Sequence, residues 1–183
     1  MKKFFLSALV ASVAVSVALS ADPLKAGPQK GEKVPGPFHP LNINGENAGE
    51  KACLYCRYGM SPVAMVFARS ATPEIVTLAK KLEEQVKAHQ DAEFNACIVF
   101  CSDDTSLKGQ LEEIVKKEGL KNVTLAIDNP AGPKGYNIEK DADVVVLLYK
   151  DRKVISNHAY RKGEMCEDCI QKIIAEIPNV VKQ

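Results

Sequence analysis

The stretch from Pro62 to Cys101 constrains the fold most. Pro62-Val-Ala-Met-Val-Phe-Ala68 is an unbroken apolar run of strand length, as expected of a strand covered on both faces. Thr72-Pro73-Glu74 follows in the order of an N-cap, a first helical residue and an acidic first turn. Ile75, Leu78, Ala79, Leu82 and Val86 then recur at helical spacing, with lysines and glutamates between them, which predicts a long amphipathic helix to about Gln90. Phe94 to Cys101 is the next apolar run. Strand, helix and strand in this order make a parallel pair within an α/β domain.

The pattern continues downstream. Ser102-Asp-Asp-Thr105 is a cap-rich turn, with Asp103 and Asp104 read as helix caps. Leu107, Leu111, Ile114 and Val115 give a second helix its apolar face, and Gly119 ends it. Val123 to Ile127 is a short strand, Asp128 to Gly135 a Pro/Gly loop leading to Tyr136-Asn-Ile138, and Val144 to Tyr149 with Val154 to Tyr160 a hairpin. In the last segment Ile170, Ile173, Ile174 and Ile177 recur at helical spacing. Cys166 falls at the N-cap, Met165 can pack as a staple, and Pro178 is predicted to stop the helix.

Upstream, Met1-Lys-Lys-Phe-Phe-Leu, an apolar run and the small residues Ala18, Ser20 and Ala21 predict a secretory signal peptide over residues 1–21 and a secreted or periplasmic protein. Residues 22–50 are rich in Pro, Gly and Asn and predict a tether or surface-hugging arm. Residues 51–183 suffice for one domain. Ala52 to Tyr58, closed by Gly59, reads as a short strand, which would put the first cysteines on a strand or loop. The net charge is +1 with no basic stripe, so neither nucleic acid nor, after signal cleavage, a membrane is an expected partner. No cofactor is expected, and Arg57 after Cys56 rules out the Cys-x-x-Cys-His haem signature.

All six cysteines follow the expected leader, as Cys53/Cys56, Cys97/Cys101 and Cys166/Cys169. A bridge closing four residues contributes about 2 kcal/mol and one joining Cys53 to Cys166 would contribute about 4.7 kcal/mol, so the short pairs suit redox or metal chemistry better than reinforcement. In Cys166-Glu-Asp-Cys169 the first sulfur would face unpaired helix N–H groups, which stabilise a thiolate, while Glu167 and Asp168 oppose it. Cys53-Leu-Tyr-Cys56 has a cation, Arg57, beside its second thiol. Either pair can instead be a passive local disulfide. Four thiolates could also hold zinc, but a buried strand spanning about 20 Å should keep the pairs apart. Cys97 reads as core and Cys101 as the end of its strand. His39, His89 and His158 show no ligand spacing.

The order of elements from Pro62 to Ile177 resembles the thioredoxin-like superfamily, and its details are most similar to the peroxiredoxin and redoxin branch. Carrying the likeness are Cys97-Ile-Val-Phe-Cys101 running into Ser102-Asp103-Asp104, Asp128-Asn-Pro before Tyr136-Asn-Ile138, and Asp151-Arg-Lys at the hairpin turn. The resemblance implies a three-layer α/β sandwich, a central mixed sheet with helices on both faces. It also implies thiol chemistry. Yet the slot that holds the catalytic Cys-x-x-Cys of thioredoxins reads Ala71-Thr72-Pro73-Glu74, no Cys lies between Cys56 and Cys97, and Ala142 stands where the family's cis-Pro falls. Peroxidase activity is therefore not expected. The expected function is thiol-disulfide exchange with protein thiols through Cys166, Cys169, Cys53 and Cys56. A non-catalytic scaffold and a thiolate metal binder are the alternatives.

Overall fold

The structure, a computed structural model, describes residues 24–182; the expected leader lies outside them. Six strands form one mixed sheet: β1 (Leu41–Asn42), β2 (Val63–Ala68), β3 (Asn95–Cys101), β4 (Val123–Asp128), β5 (Val144–Lys150) and β6 (Lys153–Tyr160). The helices are α1 (Leu54–Tyr58), α2 (Pro73–Ala88), α3 (Leu107–Glu118) and α4 (Glu167–Val181). The strand order is β1-β4-β3-β2-β5-β6. Strands β2, β3 and β4 run parallel, while β5 and β6 return antiparallel as a hairpin.

Strand β2 is interior, as its apolar run predicts, with Val66 paired to Ile98 on one side and to Val146 on the other. Strand alternation divides its buried residues between two cores. Ala64, Val66 and Ala68 meet Leu78 and Leu82 of α2, Leu111 of α3 and Ile173 and Ile177 of α4. Val63, Met65 and Phe67 meet the opposite layer, built from Leu54 and Tyr58 of α1, Ala26, Val34 and Phe38 of the N-terminal arm, and Tyr136 and Ile138 of the β4–β5 loop. Helices thus lie on both faces, but unequally. The crossovers β2-α2-β3 and β3-α3-β4 step the same way across the sheet, and one handedness therefore puts both helices on one face.

The arm replaces the missing helical layer. Gly31 N–H donates to Val154 O at 2.8 Å and Val154 N–H to Glu32 O at 2.9 Å, covering part of the β6 edge. The Asn157 amide donates to Ala26 O and Pro28 O at 2.9 and 2.8 Å, and the Tyr136 hydroxyl to Gly36 O at 2.7 Å. Gly27 is required here: its φ is +73°, and a Cβ would lie 3.1 Å from Val145 Cγ1. Phe38, Phe67 and Tyr136 pack ring against ring beneath the arm.

Three local readings need correction. Residues 52–58 are not a strand: Leu54 to Tyr58 is a helical turn that buries Leu54 and Tyr58, four apart, against the sheet. Leu41 and Asn42, within the expected tether or arm, form an edge strand. There the Asn44 amide acts as more strand, donating to Val123 O at 2.9 Å and accepting from Leu125 N–H at 2.7 Å. Pro178 does not stop α4, which runs to Val181. A proline inside a helix costs about 3 kcal/mol, and here the fully buried Ile177 and Val180 hold the last turn against the core and offset that cost.

Candidate functional site

Tyr160, the last residue of β6, pairs with Val144, which in turn pairs with Ala68 at the end of β2. The chain leaving β6 therefore arrives at the carboxyl end of β2, beside the first turn of α2. Gly163, at φ +78°, shapes the connecting turn. The Glu164 carboxylate closes it by accepting from Arg161 N–H at 2.7 Å. Ser70, Thr72, Glu74, Asp143, Lys162 and Met165 line a depression at this point.

Cys166 caps α4 in an extended conformation, and its Sγ accepts from Cys169 N–H at 3.3 Å. Cys166 and Cys169 are joined as a disulfide, with Cα atoms 5.0 Å apart. Cys166 is exposed and Cys169 half-buried, so an incoming thiolate reaches the first sulfur more readily. Cys169 Sγ lies 3.6 Å from Glu164 O, where the reduced thiol can donate. Glu167 and Asp168, both exposed, occupy the first turn. The helix N-terminus favours a thiolate on Cys166 and these two carboxylates disfavour it.

The second pair is also at a helix start, where the sequence reading put a strand or loop. Cys53 is the N-cap of α1, its Sγ accepting from Cys56 N–H at 3.0 Å. Cys53 and Cys56 are bonded, with Cα atoms 5.3 Å apart, and Cys56 is exposed. Two guanidinium groups flank them. Arg57 follows directly and reaches Glu46 at 3.7 Å, and Arg152 lies 4.6 Å from the centroid of the Tyr55 ring. This end adjoins the β5–β6 turn, since Asp151 N–H donates to Met60 O at 3.0 Å. Helix α1 packs on the arm-covered face through Leu54 and Tyr58, and α4 on the helical face through Ile170 and Ile173, so the sheet lies between the two disulfides. One ion shared by four thiolates would need them in one place, and among the described residues no group of three or more His, Cys, Asp or Glu is placed for a metal.

Cys97 and Cys101 are free thiols on the arm-covered face of β3. Burial pushes the Cys97 thiol up to about 12, although the Tyr58 hydroxyl opposes the shift. Burial raises Cys101 to about 12 as well, against the Arg69 charge and with that of Asp128. Both are poor nucleophiles at neutral pH. His158 lies on β6 with its Nε2 3.0 Å from Glu176 Oε2 and 3.1 Å from Ser156 Oγ, which ties α4 to the sheet.

The sequence reading passed over Arg69. Directly after β2, its guanidinium donates to Ala142 O, Pro130 O and Glu139 O at 2.8, 2.9 and 2.9 Å. One side chain thus fixes the loop that ends beside the Cys166 turn. Its only sequence sign is a lone cation at the end of a buried strand. The slot at Ala71 to Glu74 is an ordinary helix start, with Thr72 Oγ1 accepting from Ile75 N–H at 3.4 Å.

By sequence the chain matches no family model, and no curated protein matches it. Its structure is similar to solved ones. A candidate thiol:disulfide interchange protein DsbE from Chlorobium tepidum superposes with a TM-score of 0.57 at 19% identity, over 81% of this chain and 98% of that one. A candidate protein disulfide isomerase from Bacteroides thetaiotaomicron gives 0.64 at 16%, over 87% and 96%. Peroxidoxin BcpB from Mycobacterium tuberculosis gives 0.59 at 15%, over 82% and 97%. At these identities the likeness speaks for the architecture, and with the strand order and the closing hairpin and helix it establishes that the chain has the thioredoxin-like fold.

Proposed function

We propose that this protein exchanges disulfides with protein thiols, using Cys166 and Cys169 as its main pair and Cys53 and Cys56 as a second. The observation that carries the reading is the bonded, exposed Cys166 at the start of a long helix, at the sheet end where β2 runs into α2. A substrate thiolate attacks Cys166 Sγ, the Cys166–Cys169 bond breaks, and its electron pair leaves on Cys169 Sγ, which takes up a proton. A second substrate thiolate then attacks its own partner's sulfur in the mixed disulfide and releases Cys166 as thiolate. Two substrate thiols become one disulfide and the protein becomes a dithiol; the reverse sequence reduces a substrate. Glu167 and Asp168 disfavour the thiolate and so favour this chain's own disulfide, which makes the reduced protein the stronger reagent.

Export by the expected leader, which would place both pairs in an oxidising compartment, belongs to the same proposal. A mature chain beginning near Asp22, read by mass spectrometry, is the expected result. The scaffold alternative draws on the thiol-free helix start at Ala71 to Glu74. Reduction of insulin by the reduced protein separates the two: the parent should accelerate it, and Cys166→Ser should abolish most of the gain. A parent no faster than its Cys166→Ser variant leaves the scaffold reading in place.

A further inference from the structure

The two disulfides sit in opposite electrostatic surroundings. Between Cys166 and Cys169 stand Glu167 and Asp168; between Cys53 and Cys56 stand Leu54 and Tyr55. The first turn of α1 contains no acid, and its last turn carries Arg57. Arg152, from the β5–β6 turn, covers Tyr55, and Lys51 is exposed two residues before Cys53. On the acidic side Glu164 is matched by Arg161 at 3.6 Å, Lys162 is exposed, and Glu74 and Asp143 border the depression. On the basic side Glu46 meets Arg57 at 3.7 Å, and Glu50 and Asp151 are exposed. Next to the sulfurs in the chain stand two carboxylates, Glu167 and Asp168, at one disulfide and a guanidinium, Arg57, at the other.

The sheet separates the ends. Cys53 begins α1 on the arm-covered face, where Ala52 N–H donates to Pro40 O, whereas Cys166 begins α4 on the helical face, beyond the pairing of Ala68, Val144 and Tyr160. Neither disulfide can pass electrons to the other within one chain, so each must meet its own partner. We propose that the ends have opposite partner chemistry: Cys166–Cys169 exchanges with thiols and disulfides flanked by positive charge, and Cys53–Cys56 with those flanked by negative charge. This rests on the redox reading above. It concerns the disulfides themselves, since α1 is too short to make an anion site. A charge about 4 Å from another in water shifts an encounter by roughly fivefold, and salt screens it.

The test uses the reduced full chain in two forms, Cys53→Ser/Cys56→Ser and Cys166→Ser/Cys169→Ser, each checked for an unchanged far-ultraviolet spectrum. The probes are cystamine (cationic), hydroxyethyl disulfide (neutral) and dithiodipropionate (anionic), each rate divided by that of dithiothreitol with the same probe to remove intrinsic reactivity. The Cys166 end should prefer cystamine over dithiodipropionate by roughly three- to tenfold, the Cys53 end should show the inverse, and both ratios should approach unity in 0.5 M salt. Glu167→Gln/Asp168→Asn, exposed changes added to the Cys53→Ser/Cys56→Ser form, should flatten the preference measured at the Cys166 end. Exchange with the neutral probe at both ends but equal charge preference overturns the proposal and leaves the redox reading standing. No exchange with the neutral probe at either end overturns both.

Discussion

Arg69→Met tests the most consequential side chain that the sequence reading passed over. The substitution keeps most of the apolar stem and removes three donors, leaving Ala142, Pro130 and Glu139 carbonyls without their guanidinium. A hydrogen bond from a charged donor contributes about 1.5–3 kcal/mol when buried and nearer 1 kcal/mol when exposed. Arg69 is half-buried and two of the three bonds are exposed, so the expected loss is about 3 kcal/mol. For a domain of this size that lowers the melting temperature by roughly 6–12 °C. Arg69→Lys, with one compact ammonium instead of a planar fork, should lose about half as much. Urea unfolding should show a lower midpoint at constant slope, and the amides of Gly132, Tyr136 and Ala142, which close turns in this loop, should exchange faster with solvent. An Arg69→Met midpoint indistinguishable from the parent, or a lysine variant as damaged as the methionine one, would refute the clamp.

Three further outcomes are expected. Burial raises the Glu83 carboxyl, but N–H donors at Asn122 and Val123, each 2.9 Å away, outweigh it and hold the group below the ordinary range; stability from this site is therefore present above the unfolded pKa and lost as pH falls through the folded one. The parent should lose its advantage over Glu83→Gln on going from pH 7 to pH 3 in urea titrations, and an advantage unchanged at pH 3 would contradict this. Asn44→Ala should cost about 2 kcal/mol by leaving Val123 O and Leu125 N–H unpaired beside a two-residue strand, whereas a cost under about 0.5 kcal/mol would show that β1 pairs without it. An aromatic disulfide reagent should find no fast thiol in the native oxidised protein, four after mild reduction and six on unfolding; two fast thiols before reduction would mean that Cys97 and Cys101 are not held near 12 by burial.

What the sequence made legible is what local chemistry decides. The interior position of β2 follows from six consecutive apolar residues, the start of α2 from Thr72-Pro73-Glu74, and the Cys166 cap from isoleucines at helical spacing. What stayed hidden depends on remote partners. Helix α1 is a single turn, and its one helical sign is the Leu54/Tyr58 spacing. The arm has too many prolines for any period, and its anchor, Asn157, lies 131 residues from Ala26. The Arg69 carbonyls come from 61, 70 and 73 residues away. Both cysteine pairs were visible as spacing, but of the two capping residues only Cys166 was legible as a cap and Cys53 was not.

The arm-covered face has a consequence for the order in which the molecule can assemble. Residues 26–38 are among the first described residues to be synthesised, yet their partners are Tyr136, Val154 and Asn157. On the helical face, α2 and α3 can close over β2, β3 and β4 while the last quarter of the chain is still being made, because those contacts are nearer in sequence. The opposite face must wait for β5 and β6. Until then Val63, Met65 and Phe67 on one side of the central strand have no cover from the arm, and β2 lacks its β5 neighbour. Closure of the arm after the sheet is the order expected of this topology, and until the arm closes the uncovered face is where two copies would stick together.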